Sequence, residues 1–84
     1  MAYLVVLSHD ARKELDKAEL AVRQKVIRVF DALSVNPLSG KKLKGEYAGL
    51  YAVRAWPYRI TYQIFDKKLI ILILRIRHRK DVYK

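Results

Sequence analysis

Apolar and polar residues alternate with a period of two along most of the last third of the chain, from Tyr51 to Arg79. In Tyr58-Arg59-Ile60-Thr61-Tyr62-Gln63-Ile64 the even positions are apolar and the odd ones polar, the signature of a strand with one buried face. The same parity continues through residues 69 to 77, with Ile70, Leu72, Leu74 and Ile76 at even numbers and Arg75 and Arg77 at odd ones. A three-residue loop, Asp66-Lys67-Lys68, pairs Phe65 with Leu69 and keeps the two strands in phase. Trp56-Pro57 predicts a two-residue turn that sets Ala55 against Tyr58, so Tyr51, Val53 and Ala55 join the apolar face. Arg54 then stands across from Arg59. The opposite face collects Arg54, Arg59, Arg75, Arg77 and, if the strand runs on, Arg79.

Upstream, residues 2 to 7 are short, apolar and β-branched, and read as a first strand stopped by Ser8. Ser8 is a good N-cap and Asp10 puts an acid in the first turn, so a short helix follows with Ala11 and Leu15 inward. A longer helix over residues 19 to 33 repeats Val22, Val26, Phe30 and Leu33 at three- and four-residue steps, supported by Ile27. Asn36-Pro37 ends it. Residues 38 to 45 form a basic loop punctuated by Gly40 and Gly45, with Gly49 closing it before the sheet resumes. The expected fold is α+β. A two-helix hairpin covers one face of a mainly antiparallel sheet, built from the N-terminal strand and a C-terminal three-stranded meander within one domain, residues 1 to 84. The arginine face is left open.

Composition sharpens this picture. No cysteine is present, so stability rests on packing, and neither disulfides nor thiolate metal sites are available. The absence of an N-terminal signal pattern and of a long apolar run reads as a cytoplasmic protein with no membrane partner. The net charge of +10 is uneven: residues 1 to 40 carry six Lys or Arg against five acids, and residues 41 to 84 carry twelve against three. Such a concentration points to a partner rich in phosphate, of which nucleic acid is the commonest. A solvated basic surface is the plainer alternative. His9 and His78 are far apart in sequence, and neither a phosphate-binding glycine loop nor a serine-nucleophile motif occurs, so no cofactor is expected.

Candidate chemistry gathers in Arg75-Ile76-Arg77-His78-Arg79-Lys80-Asp81-Val82-Tyr83, which extends a core strand and brings a histidine and a tyrosine toward Arg59. Cleavage of RNA by its own 2′-hydroxyl requires a base, cations for the charge on the pentacoordinate phosphate, and an acid for the leaving oxygen. Histidine, tyrosine and arginine can supply all three without a metal.

The stretch LKGEYAGLYAVRAWPYRITYQIFDKKLIILILRIRHRKDVY, residues 43 to 83, resembles the RelE/ParE toxin superfamily. A leucine-lysine-glycine loop, a Tyr-Arg strand start and a terminal His-Arg-x-x-Val-Tyr follow in the family's order. The resemblance implies a compact toxin neutralised by an acidic, RelB-like antitoxin, with operator DNA engaged only through the toxin–antitoxin complex. RelE-like members cut messenger RNA on the ribosome, whereas ParE-like members inhibit gyrase. Under the first reading Arg59 stabilises the scissile phosphate, Arg79 assists the leaving group, Tyr83 stacks on or orients the substrate, and His78 is the general acid. Arg54 joins the catalytic set, while Lys41, Lys42, Lys44, Arg75 and Arg77 hold RNA. The family's strand carries two basic residues on one face, and here the first position is Ala52, leaving Arg54 alone. A gyrase inhibitor and a non-catalytic nucleic-acid-binding module are the alternatives.

Overall fold

The computed structural model describes residues 2–82, the last two by backbone alone. Strand β1 (Leu4–Leu7) is stopped by Ser8, whose hydroxyl accepts from the Ala11 amide at 3.0 Å and donates to the Leu74 carbonyl at 2.8 Å. The cap therefore also fixes the start of helix α1 (His9–Lys17) against the sheet. Ala11 and Leu15 point inward from α1, and Val26, Phe30 and Leu33 from α2 (Leu20–Val35), as the helical spacing predicts. Ile27 does not join them. It is 49% exposed, and Val29 packs against the core instead.

The sheet has five strands in the order β1-β5-β4-β3-β2, adding β2 (Lys41–Lys42), β3 (Tyr51–Ala55), β4 (Tyr58–Phe65) and β5 (Ile70–His78). β1 runs parallel to β5 and every other pair is antiparallel. A one-turn helix α3 (Arg79–Val82) follows β5. Both long helices lie on one face of this α+β sheet, against a centre formed by Ile60, Tyr62, Ile71, Ile73 and Ile76. Each buried isoleucine contributes roughly 1.5–3 kcal/mol. Tyr62 buries its ring there and satisfies its hydroxyl twice, donating to the Pro37 carbonyl at 2.7 Å and accepting from the Gly40 amide at 3.1 Å. A side chain at residue 40 would run into that hydroxyl and meet the Ala52 carbonyl oxygen at 2.9 Å, so the approach demands glycine.

Three expectations need correction. Phe65 pairs with Ile70, not Leu69, because Leu69 adopts a left-handed conformation with φ of 54° and is absorbed into the turn. The first half of β5 is thereby flipped: Ile71 and Ile73 are buried, and Ile70, Leu72 and Leu74 leave the core face. A register shift at Thr61/Tyr62 leaves Leu74 without a partner and restores the expected parity, so Ile76 is buried while Arg59 faces Arg77. The segment around Lys41 and Lys42, expected as a flexible loop, pairs with Ala52 and Tyr51 as an edge strand. Finally, the strand stops at His78, and Arg79 opens α3.

Candidate functional site

The Trp56–Pro57 turn and the ladders beside it organise the open face. Arg54 pairs with Arg59, and Arg59 with Arg77, so three guanidinium-bearing residues form one row across β3, β4 and β5. Direct neighbours in such a row have Cβ atoms about 4.5–5.5 Å apart, and like charges there are mutually destabilising. The backbone of the turn is clamped from two sides. Lys25 on α2 donates to the Trp56 carbonyl at 2.9 Å, and the Arg79 amide donates to the Pro57 carbonyl at 2.9 Å. The second bond folds the chain after β5 back over the turn, and the Arg79 guanidinium lies 5.2 Å from the centre of the Trp56 ring.

The result is a groove of about 750 Å³ whose lining includes Lys41, Arg54, Arg59 and Arg79 together with Trp56 and Tyr58 and, among the described residues, no carboxylate. Lys41 enters it because β2 sets this residue directly beside Ala52, on the same face as Arg54. The position where the sequence lacks a basic residue thus has one beside it, delivered by the neighbouring strand. Lys42 pairs with Tyr51, whose ring stacks on buried Tyr62 at 5.5 Å, so Lys42 is on the helix side of the edge. Lys44 lines a second recess with Arg59, Arg75 and Arg77.

Arg75 is differently engaged. Its guanidinium meets Glu14 of α1 at 2.7 Å, and the same carboxylate accepts from the Ile76 amide at 2.8 Å. The hydrogen bond to Glu14 raises the Arg75 pKa further above its ordinary value. Its charge is therefore already paired within the fold, where the sequence reading gave it to RNA.

His78 shares this end of the sheet but does not line the groove. It pairs with Tyr58, and their rings meet edge to face at 5.2 Å. Its Nδ1 accepts from the Lys80 amide at 3.2 Å, which leaves the proton of the neutral ring on Nε2. The cause is parity: Ile76 and His78 lie on the same side of β5, and the Tyr58 ring, which lines the groove, packs against the imidazole. Tyr83 lies outside the described residues. Among the described residues no cluster of three His, Cys, Asp or Glu side chains could hold a metal ion, and no helix is long and apolar enough to cross a membrane.

Sequence reasoning missed Trp56 and Glu14. The available signal for Trp56 was an aromatic residue in a turn flanked by arginines. The Glu14 contact spans more than sixty residues of sequence and has no local signature.

Comparison with known proteins agrees with this architecture. A family model described as the ParE toxin of the type II toxin–antitoxin system parDE matches residues 5–83. Toxin RelG of Mycobacterium tuberculosis is 37% identical over 86 residues, covering 100% of this chain and 99% of RelG. In the crystal structure of the toxin–antitoxin complex RelBE2 from Mycobacterium tuberculosis, one chain is 36% identical and superposes with a TM-score of 0.87, covering 94% of this chain and 93% of that one. The archaeal RelE–RelB complex from Pyrococcus horikoshii gives 27% identity and a TM-score of 0.80, with coverages of 94% and 97%.

Proposed function

We propose that this chain, which belongs to the RelE/ParE superfamily of type II toxin–antitoxin toxins, is an endoribonuclease that cuts messenger RNA on the ribosome and stops translation. The observation that carries the reading is the Arg54–Arg59–Arg77 row beside a groove that adds Lys41 and Arg79 and, among the described residues, no carboxylate. Such a surface stabilises a phosphate whose charge increases, which is what the transition state of RNA cleavage presents.

In this mechanism the 2′-hydroxyl gives its proton to solvent water as its oxygen bonds to the adjacent phosphorus and the bond to the 5′-oxygen breaks, so no metal is required. Arg54 and Arg59 face the phosphate oxygens. Arg79 stabilises the leaving oxygen, and His78, protonated on both ring nitrogens once its Nδ1 leaves the Lys80 amide, gives it a proton from Nε2 across the Tyr58 rim. Lys41 and Lys44 neutralise flanking phosphates, and Tyr83 stacks on a neighbouring base. An acidic RelB-like antitoxin covers the basic face; the RelBE2 and RelE–RelB structures, both of toxin–antitoxin complexes, support that partner. Charge of opposite sign speeds such an encounter and makes its rate fall with salt.

The match to a ParE model supports a second reading, inhibition of gyrase. A purified translation system separates the two. The endonuclease reading expects primer-extension stops within ribosome-bound message and undisturbed gyrase supercoiling; loss of supercoiling with intact message overturns it.

A further inference from the structure

Trp56 is 57% exposed and belongs to no part of the core. A singly exposed apolar side chain is ordinary on a protein surface, so exposure alone decides nothing. Its setting does. The indole lines the groove that Lys41, Arg54, Arg59 and Arg79 also line. Its backbone is held by Lys25 on one side, and the adjoining Pro57 by the Arg79 amide on the other, so a residue in a two-residue turn has a fixed location. One guanidinium sits 5.2 Å from the ring centre. A cation at that distance favours the electron-rich face of the indole and holds the ring in place.

We infer that Trp56 is a stacking platform for a nucleobase of a single-stranded RNA whose phosphate lies in the groove. This rests on the reading that RNA occupies the groove, and it assigns a subsite that the arginine row does not supply. Guanidinium groups contact phosphates whatever the base, whereas an aromatic face gains from the base itself. The arrangement orders the stack as Arg79, Trp56, base. Arg79 thereby has two tasks, with its position at the leaving oxygen depending on the ring beneath it.

The chain has a single tryptophan, so its fluorescence reports on this residue alone. The test titrates the protein with a single-stranded RNA of about six nucleotides, within the usual site size for one small domain, and with an abasic oligomer of equal length and charge. The inference predicts quenching by the RNA, little change with the abasic oligomer, and roughly ten-fold weaker binding of the abasic oligomer. By anisotropy of labelled RNA, Trp56→Ala binds both oligomers equally weakly, and Trp56→Phe, which keeps a ring, recovers part of the preference. Equal affinity for the two oligomers with unmoved fluorescence overturns the inference and leaves the indole as a support for Arg79. If stacking is observed but wild-type protein leaves ribosome-bound message uncut, the nuclease reading fails and the subsite stands. Cleavage without stacking has the opposite meaning.

Discussion

Arg54 and Arg59 are direct partners in the β3–β4 ladder, one on each side of the Trp56–Pro57 turn. Two guanidinium groups on facing positions repel, and Arg77 extends the row on the other side of Arg59. Like charges at facing positions are mildly destabilising, and a bound phosphate relieves the repulsion.

Removing one charge should therefore stabilise the protein. Arg54→Gln or Arg59→Gln keeps a side chain of similar reach, and each is predicted to raise unfolding stability by a few tenths to about 1 kcal/mol at low salt. The gain shrinks as ionic strength rises. Urea denaturation at two salt concentrations checks this; a loss of stability at low salt would show that the row is internally compensated.

Lys41 and Lys42 are neighbours with opposite outlooks. Lys41 lines the groove beside Ala52, and Lys42 pairs with Tyr51 on the helix side. Lys41→Ala is expected to weaken RNA binding and to reduce its salt slope by about 0.7, the amount for one lost single-strand phosphate contact. Lys42→Ala should leave both unchanged. Equal effects from the two variants would mean that the charge of the segment matters and its pairing does not.

Tyr62 supports the groove from below, since its hydroxyl binds Pro37 and Gly40 just before β2. Tyr62→Phe leaves those backbone groups without their partner and is predicted to cost roughly 1–3 kcal/mol. Burial raises the pKa of this phenol above the ordinary 10.0, so the folded state holds the proton more tightly than the unfolded chain. Its contribution is whole below pH 10.0 and lost as pH climbs through the raised value, and stability should fall there. Tyr3, raised by its hydrogen bond to Asp66, acts in the same direction. The difference between wild type and Tyr62→Phe in alkaline unfolding isolates Tyr62; identical alkaline limbs would contradict the assignment.

His78 is tested by the pH dependence of single-turnover cleavage. As a proton donor it contributes a pH-dependent step that His78→Gln lacks, so the variant should be slower and its profile should differ from that of wild type. A variant with the wild-type profile would make the histidine a support for Tyr58 and for the Lys80 amide, with Arg79 serving the leaving oxygen alone.

The parts of this site legible in the sequence are those set by short-range periodicity. Arg54, Arg59 and Arg77 share a face because strand parity and a proline-containing turn fix their register locally. The first half of β5 lies inside out relative to its sequence pattern because Leu69 takes a left-handed conformation that propensity assigns to glycine or asparagine. The compensating shift near Thr61 depends on how two strands meet, which neither strand encodes alone. A two-residue strand of lysines leaves no apolar pattern, so the placement of Lys41 was invisible too. The link from Glu14 to Arg75 required the third dimension.

If the arginine row stabilises a phosphate undergoing cleavage, loss of one guanidinium slows the cut, which single-turnover cutting of ribosome-bound message by wild type and Arg59→Gln measures. Arg59→Gln is expected to fold, to be at least as stable as wild type and to cut about 100- to 1,000-fold more slowly, the loss expected for one transition-state donor. A folded Arg59→Gln that cuts at the wild-type rate would contradict it.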